Sequence, residues 1–226
     1  MQRSNQSRTL GESMMEWIDE RFQIREPLRE IAEHPVPRHA RAWYYCLGGV
    51  SFFFFFIQVV TGILLAMYYQ ATPDKAYNSV MFIMNEVKFG WLVRSMHAWS
   101  ANLMVAAVFM HMLRVFFTGA YKPPRELNWV AGVGLLGITL AFGFTGYLLP
   151  WDQRAYWATT VGTEIAGSLP LVGPYLKTFL LAGTEPTGLT LARFYAMHVL
   201  VLPLVAVILL ALHFLMVRRQ GISGPL

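Results

Sequence analysis

Two stretches decide the fold: WLVRSMHAWSANLMVAAVFMHMLRVFF at residues 91–117 and LARFYAMHVLVLPLVAVILLALHFLMV at residues 191–217. Each is longer than the about 20 apolar residues that a helix needs to cross a hydrocarbon layer. Two further apolar stretches, at about 42–69 and 127–149, are of similar length. Because backbone in lipid must satisfy its own hydrogen bonds, helix is the expected structure of all four. In chain order we call them spans A, B, C and D.

The composition agrees with a membrane protein, since 55% of the 226 residues are hydrophobic and the mean hydropathy is +0.42. We predict an all-α transmembrane four-helix bundle over 42–217, after an N-terminal segment at 1–41 and before a tail at 218–226. No secretory signal peptide is visible in the charged N-terminal segment. The mixed pattern from Met14 to Ile31 predicts an amphipathic helix on the membrane surface. The connection at about 150–190 predicts short surface helices.

Lysine and arginine are distributed unequally between the two sides of the predicted bundle. Eleven lie in the N-terminal segment, the B–C connection and the tail, and four lie in the A–B and C–D connections. The positive-inside rule therefore places both termini on the cytoplasmic, negative side. The net charge of +5 thus reflects the membrane topology and predicts no nucleic-acid partner. A single cysteine excludes an internal disulfide.

Six histidines divide into two groups. His34 and His39 lie in the polar N-terminal segment and are interpreted as surface residues. The other four lie inside apolar spans: His97 and His111 on span B, and His198 and His213 on span D. An ionisable side chain inside a membrane is costly, which makes these four functional candidates.

The spacing of the four intramembrane histidines predicts two paired sites. His97 and His111 are 14 residues apart, which is about 21 Å along a helix and brings both onto nearly one face. His198 and His213 are 15 apart, a rotation of about 60° and again broadly one face. If every span crosses once, His97 meets His198 near the positive side and His111 meets His213 near the negative side. Paired imidazoles suit two b-type haems used for electron transfer.

Glycines and arginines accompany the histidines at matching depths. The glycines come in pairs 14 residues apart, Gly48 and Gly62 on span A and Gly132 and Gly146 on span C. Missing side chains there leave room for the edge of a macrocycle, which favours haem over a small metal ion. Arg94 and Arg114 each lie three residues from a span-B histidine. They are candidates to pair with haem propionates, the alternative being snorkelling to lipid headgroups.

Six motifs carry a family resemblance: YCLGG (45–49), FGWLVRSMHAWSA (89–101), KPPRELNWV (122–130), GFTGYLLPWDQ (143–153), RFYAMH (193–198) and RRQGISGPL (218–226). Along nearly its whole length the sequence resembles cytochrome b6, the short, split form of cytochrome b. The spacing of 15 on span D is that of the b6 type. Ala98 departs from chloroplast b6 proteins, which have arginine there, and RVFFTGAYKPPRELNW resembles bacterial subunits that use menaquinol.

The resemblance implies a subunit of a quinol:c-type cytochrome or plastocyanin oxidoreductase. Its cofactors would be two haem b groups and a quinone, menaquinol or plastoquinol, and electrons would cross the membrane in a Q cycle coupled to proton translocation. The implied partners are a subunit IV-like chain with the remaining helices, a Rieske iron–sulfur protein and a c-type cytochrome, in a homodimeric complex. A bacterial cell membrane is a better match than a thylakoid.

Further site residues follow from the resemblance alone. The matching quinol-pocket positions are Phe144, Tyr147, Ala158 and Val161. Cys46 matches the cysteine that forms a single thioether to a high-spin haem c, although a lone cysteine near a helix end is more often a small buried hydrophobe. Arg218 matches a residue near that haem and the negative-side quinone pocket.

Three other functions stay open from the residues. A dihaem membrane anchor of a dehydrogenase or hydrogenase also binds haem between paired histidines, although the PWDQ segment and the GISGPL ending disfavour it. A non-redox zinc or proton carrier would use the histidines without haem. A purely structural bundle would leave four buried histidines unexplained.

Overall fold

The computed structural model describes residues 9–33 and 37–224 of the chain, which divides into two units, Met1–Arg41 and Ala42–Leu226. Within the described residues, four helices are long and apolar enough to cross a membrane: Leu47–Ala66, Gly90–Phe117, Glu126–Leu148 and Gly188–Gln220. The predicted all-α class with four long apolar helices is therefore confirmed. Their ends differ from the predicted spans by a few residues, most at the start of the first, where a 3₁₀ turn (Trp43–Tyr45) precedes the helix.

The N-terminal unit contains two helices, α1 (Leu10–Phe22) and α2 (Arg25–Ala32). The helix predicted from Met14 to Ile31 is divided into these two, because Gln23 between them adopts a left-handed conformation with φ of 49°. Pro27 explains the new start. Proline has no N–H to donate and is tolerated in the first turn of a helix, and Pro27 is the third residue of α2.

The second unit contains eight α-helices in the described residues, and its last membrane helix is interrupted. They are α3 (Leu47–Ala66), α4 (Ala76–Asn85), α5 (Gly90–Phe117), α6 (Glu126–Leu148), α7 (Gln153–Gly167), α8 (Gly173–Leu181), α9 (Gly188–Ala196) and α10 (Leu202–Gln220), with a π-helical turn (Met197–Val201) between the last two. Helix α3 packs on α5, α5 on α6, and α6 on α10. We call the end where α3 begins and α10 finishes the C-terminal end, and the opposite end the α7–α8 end.

The outer surface of the bundle is apolar. Phe56, Ile63 and Leu200 each expose at least 60% of their surface. A water-soluble monomer rarely exposes a continuous surface of this kind. The large apolar side chains that face outward are thus those of a protein surrounded by lipid.

The π-helical turn brings the unequal histidine spacings into register. The Leu202 N–H donates to Met197 O, five residues back, so this turn uses one residue more than an α-turn. Pro203 accounts for it, because a proline ring clashes with the carbonyl four residues earlier in a regular helix. The 15 residues from His198 to His213 therefore complete about the same rotation as the 14 on α5.

A compact core closes the α7–α8 end, and α4 contributes to it although the sequence predicted only a loop there. Ala76, Leu148, Leu191 and Phe194 are buried together. The Tyr69 hydroxyl donates to Leu149 O at 2.6 Å. Burial, and secondarily Tyr195, raises the pKa of Tyr69 far above its ordinary value, so the hydroxyl keeps its proton. This core fixes the start of the last membrane helix relative to α6.

The predicted surface segment forms α7 and α8. Trp151 turns the chain with φ of 52°, and Asp152 caps α7 by accepting from Ala155 N at 2.8 Å. The two helices are joined by an ion pair between Lys177 Nζ and Glu164 Oε1 at 2.5 Å. The PWDQ sequence therefore acts as a turn and helix start at the end of α6.

Candidate functional site

The structure places His97 beside His198 at the α7–α8 end. Their ring centroids are 6.4 Å apart and their planes differ by 66°. Two imidazoles that bind one metal from opposite sides, with metal–nitrogen distances of about 2.0–2.1 Å and each nitrogen about 1.2 Å from its ring centre, have centroids about 6.4–6.6 Å apart. The observed separation therefore fits two imidazoles that bind one metal from opposite sides.

A threonine contacts each of these two imidazoles. Thr61 Oγ1 lies 2.8 Å from His97 Nδ1, and Thr145 Oγ1 lies 3.0 Å from His198 Nδ1. Each hydroxyl donates its single hydrogen to a carbonyl four residues earlier, at 2.6 Å for Thr61 and 2.7 Å for Thr145. Each oxygen can then only accept from the imidazole. Nδ1 therefore carries the hydrogen, and Nε2 is the nitrogen that is left to bind a metal.

The four predicted glycines each lie beside one of the four histidines. A Cβ at Gly146 would lie 2.7 Å from His198 Cε1, and one at Gly48 would lie 3.2 Å from His111 Cε1. The matching distances are 3.4 Å from Gly62 to His97 and 3.8 Å from Gly132 to His213. Gly146 and Gly48 therefore leave room for the imidazoles beside them, a reason additional to the room for a macrocycle edge that the spacing predicted, whereas a Cβ at Gly62 or Gly132 would make only ordinary contact.

Gln58 ties α3 to the backbone of His97. Its Nε2 donates to His97 O at 2.7 Å and to Ser100 Oγ at 2.6 Å. Ser100 is buried and donates to Met96 O at 2.5 Å. An amide that bridges two membrane helices in this way fixes the height of His97 relative to Thr61.

The second histidine pair lines a cavity at the C-terminal end. His111 and His213 face a cavity of about 310 Å³, together with Arg114, Arg125 and Asn128. This volume is at the lower end of the range for small-molecule sites. Among the described residues, no hydrogen-bond partner is present for several buried polar atoms here: His111 Nδ1, Arg114 Nε and Nη2, Arg125 Nε and Asn128 Oδ1. Buried polar groups normally have partners, so this cavity suits a ligand with anionic or other polar groups.

The three predicted arginines occupy different environments. The Arg114 guanidinium lies 3.8 Å from the centre of the Tyr45 ring, and both residues line the cavity. Arg94 Nη1 donates to Met84 Sδ at 3.6 Å near the α7–α8 end. Arg218 is exposed in the last turn of α10. Only Arg114 therefore faces the cavity of the second histidine pair.

The donor set fits haem and not a classical zinc site. Each pair supplies two imidazoles, and a macrocycle supplies its own four nitrogens, so two protein ligands complete the coordination. Zinc sites take three or four protein ligands. In the part of the chain that the structure describes, no three of the side chains of His, Cys, Asp and Glu lie close enough to hold a metal ion.

The four predicted quinol-pocket residues lie on α6 and α7 at the α7–α8 end. Phe144 is half-buried and contacts the Phe194 ring, with centroids 5.7 Å apart. Its ring also fills the space beside Gly162, where a Cβ would lie 2.4 Å from Phe144 Cε2. Ala158 is half-buried, whereas Tyr147 and Val161 are exposed. The structure places these four near the first histidine pair, and their role stays a prediction.

Cys46, His34 and His39 complete the set of residues that the sequence singled out. Cys46 is free and exposed at the start of α3. His39 belongs to the 3₁₀ helix Arg38–Arg41, and His34 lies outside the described residues.

Comparison with known proteins identifies the protein family of this chain. A family model described as Cytochrome b/b6/petB matches residues 31–221, so the chain belongs to the cytochrome b/b6 family of membrane-spanning electron-transport proteins. This confirms the resemblance that the six motifs indicated.

Two relatives and one solved structure show how far the similarity extends. The cytochrome b6 of Heliomicrobium gestii is 53% identical, with 94% of this chain and 100% of that protein covered. The menaquinol:cytochrome c reductase cytochrome b subunit of Geobacillus thermodenitrificans is 50% identical over 94% of this chain and 98% of that protein. A solved structure described as Hyperthermophilic respiratory Complex III superposes with a TM-score of 0.86 and 36% identity. The match covers 93% of this chain, which spans 56% of the chain in that structure.

Several site residues were missed by the sequence reasoning. Thr61, Thr145 and Gln58 look like ordinary polar residues in apolar spans. Thr61 and Thr145 are each next to a predicted glycine, which is the one local signal that marks them. Arg125 and Asn128 lie in the KPPRELNWV motif but only the tertiary structure brings them to the cavity.

Proposed function

We propose that the chain is the cytochrome b subunit of a quinol:cytochrome c-type oxidoreductase and carries electrons across the membrane through two b-type haems. His97 and His198 would hold one haem, and His111 and His213 the other. The observation that carries the proposal is the first pair, whose imidazoles have the separation that one shared iron needs and whose Nδ1 hydrogens point to threonine oxygens.

Haem would supply reversible one-electron chemistry when bound, and two imidazole ligands from the protein would leave it no open coordination position. The chain's own residues position those imidazoles. Thr61 and Thr145 hold the Nδ1–H tautomer, the glycines admit the rings, and Gln58 fixes the backbone at His97. The two pairs are about 21 Å apart along α5, so one site lies near each membrane surface.

The arginines are proposed as propionate partners. Arg114 is the stronger of the two because its Nε and Nη2 are buried at the cavity and have no partner among the described residues. A guanidinium can bind a carboxylate through two parallel hydrogen bonds. Arg94 is proposed as the propionate partner of the haem at the α7–α8 end. The propionates of each haem would reach the nearer membrane surface.

Quinol would be oxidised at the α7–α8 end, at a site to which Phe144, Tyr147, Ala158 and Val161 contribute, and quinone would be reduced at the C-terminal end. The proposed coupling is a Q cycle that moves protons across the membrane. The name of the Geobacillus relative supports menaquinol as the donor and cytochrome c as the final acceptor. The proposed partners are a second chain with the remaining helices, a Rieske protein and a c-type cytochrome, in a homodimer.

The orientation that we propose follows from the distribution of lysine and arginine. It places the C-terminal end on the cytoplasmic side of a bacterial cell membrane. Lys122, Arg125, Arg218 and Arg219 all lie at this end of the second unit. The opposite end has Lys75, Lys88, Arg154 and Lys177. The excess that decides the orientation therefore comes from the N-terminal segment.

Cys46 is proposed to carry a third, high-spin haem through one thioether, with Arg218 near it. The thiol would add across a vinyl group, so that a carbon–sulfur bond forms and the thiol hydrogen moves to the vinyl carbon. The position supports this, because Cys46 is exposed and its neighbour Tyr45 lines the cavity of the second pair. Acid–acetone extraction tests it: one haem should stay bound to the chain, and it should be lost in Cys46→Ser. A chain that releases all its haem would contradict this part alone.

The proposal for the two b haems is tested on the purified complex. Reduced-minus-oxidised and pyridine-haemochrome spectra should give two extractable b haems per chain, and His97→Ala and His111→Ala should each lower that number. Asn102→Leu is the matched control, since Asn102 is exposed on α5 between the two histidines and its side chain donates to Ala98 O of the same helix. A complex without an α-band, or a histidine variant that keeps both haems, would overturn the proposal.

A further inference from the structure

Three residues on one face of α6 lie against the imidazole of His198. A Cβ at Gly146 would lie 2.7 Å from His198 Cε1, and Thr145 Oγ1 lies 3.0 Å from His198 Nδ1. One turn before Gly146, the ring of Phe142 meets the His198 ring edge to face, with centroids 5.5 Å apart and planes that differ by 85°. Residues three and four apart on a helix are neighbours on its surface. The same face of α6 therefore supplies a hydrogen bond, an open space and an aromatic contact to one imidazole.

Phe142 also borders the cavity of the second histidine pair. Along α6 the cavity is lined from Asn128, in the first turn, to Phe142, which lies about 21 Å further along the helix. On α5 the buried Met104, halfway between His97 and His111, lines the cavity too. The cavity thus extends from the C-terminal end into the middle of the bundle, and Phe142 lies at its inner end. A single side chain therefore contacts both this cavity and a histidine of the first pair.

The two imidazoles of the first pair are far from coplanar, since their planes differ by 66°. The hydrogen bond to Thr145 fixes one atom of the His198 ring. A ring that is held at one atom can still tilt about that atom. An aromatic ring packed against it restricts the tilt, because aromatic pairs prefer edge-to-face or offset arrangements. The contact with Phe142 is therefore suited to fixing the plane of the His198 imidazole.

We propose that Phe142 holds the plane of the His198 imidazole at its large angle to that of His97 and separates this pair from the cavity of the second pair. Phe142 is a positioning residue, because it acts through His198 and is not a metal ligand. The inference rests on the proposed function, since it concerns the two ligands of one haem iron. It adds to the site a residue that the histidine and glycine spacings did not indicate.

The orientation of an axial imidazole has a spectroscopic signature that does not depend on electron-transfer activity. When the two ligand planes of a low-spin ferric haem are nearly perpendicular, two iron d orbitals stay close in energy and one g value is very large. When the planes turn toward each other, these orbitals separate and the largest g value falls. Electron paramagnetic resonance (EPR) of the oxidised complex therefore reports the angle between His97 and His198.

The experiment compares variants of Phe142 in the purified, intact complex. Phe142→Leu and Phe142→Met remove the ring and keep an apolar side chain, whereas Phe142→Tyr keeps the ring. Phe109→Leu is the matched control, because it makes the same change at an exposed position of α5 between the two histidines. Haem content is measured by pyridine haemochrome and the g values by EPR. The signal that His97→Ala removes is assigned to the haem at the α7–α8 end.

Both ring-free variants should keep two haems and give, at the α7–α8 end, a second EPR component with a smaller largest g value. The energy of an aromatic pair corresponds to about a two- to tenfold change in an equilibrium. The ratio of the new ring orientation to the original one should therefore rise about two- to tenfold. The signal of the other haem should shift less, because the ring contact of Phe142 is with His198. Phe142→Tyr and Phe109→Leu should keep the wild-type spectrum.

Unchanged g values at the α7–α8 end in both ring-free variants would overturn the inference. An equal shift in Phe142→Tyr, in Phe109→Leu or in the signal of the other haem would overturn it as well. If the ring-free variants lose the haem at the α7–α8 end, Phe142→Tyr decides: full haem content with the wild-type spectrum supports the role of the ring, and haem loss overturns it. A wild-type complex without b haem contradicts the proposed function itself, so the two failures are distinguishable.

Discussion

Of the four glycines beside the histidines, Gly146 leaves the least room for a side chain. A Cβ there would lie 2.7 Å from His198 Cε1 and 3.3 Å from both ring nitrogens. Carbon atoms in ordinary contact are about 3.5–4.0 Å apart, so Gly146→Ala would require the ring to move by roughly 1 Å. The ring has little freedom, because Thr145 Oγ1 holds Nδ1 at 3.0 Å.

The cost of Gly146→Ala is the balance of two destabilising contributions and one stabilising contribution. Overpacking a tight site costs about 1–3 kcal/mol, and losing the Thr145 hydrogen bond adds about 1 kcal/mol. Alanine in place of glycine returns about 1 kcal/mol in a helix. The net cost of about 1–3 kcal/mol predicts that His198 binds iron roughly ten- to a hundredfold more weakly.

Haem content and low-spin EPR signals of the purified complex measure this effect. Gly143→Ala is the matched control, since Gly143 is also on α6 and a Cβ there would meet nothing within 4 Å. We expect it to keep both haems. The loss of haem at the four glycine positions should follow these Cβ–imidazole distances, with Gly146→Ala the most damaging and Gly132→Ala, at 3.8 Å, the least. If Gly132→Ala loses as much haem as Gly146→Ala, contact with the imidazole is not the reason for these glycines.

Three more predictions test the register and the surface helices. Insertion of one alanine after Met104 should rotate His111 by about 100° relative to His97, so haem quantification should show loss at the C-terminal end only; retention of both haems would refute the single-face arrangement of α5. Deletion of Leu200 combined with Pro203→Ala should keep both haems, because a regular α-turn with 14 residues replaces the π-helical turn with 15; spectra with one haem missing would contradict that explanation. Glu164→Gln removes the ion pair with Lys177, and because the Glu164 side chain is 61% exposed the change in stability should stay below about 1 kcal/mol; a large fall in the melting temperature of the complex would show that the α7–α8 contact matters more than its exposure indicates.

Hydropathy was sufficient to predict the membrane helices because each contains a long apolar run that no soluble fold would expose. The same reasoning missed α4, whose ten residues are too short and too mixed to stand out from a loop. Its position is fixed by close packing against the start of α5, as at Gly90, where a Cβ would lie 2.0 Å from Ile83 O. The division of the N-terminal helix at Gln23 was missed for a local reason, since the significance of Pro27 depends on which residue begins a helix.

The candidate site was predictable in its residue types and only partly in its chemistry. Spacing alone predicted which histidines would be neighbours and which glycines would accompany them. It gave no sign that Gly146 contacts the imidazole of His198 more closely than Gly132 contacts that of His213. It also could not identify Gln58, whose partners are 39 and 42 residues away.

The sequence by itself determined that this chain has four membrane helices with paired histidines at two depths, because helical periodicity and the cost of burying polar groups in lipid act within each segment. The tertiary structure decided what each pair contacts. The π-helical turn at Met197–Val201 restores the register of His198 and His213, and packing of α3 and α6 brings Thr61 and Thr145 to one pair only. Those contacts join residues on different helices, and a difference between two sites that share one spacing can arise only from such contacts.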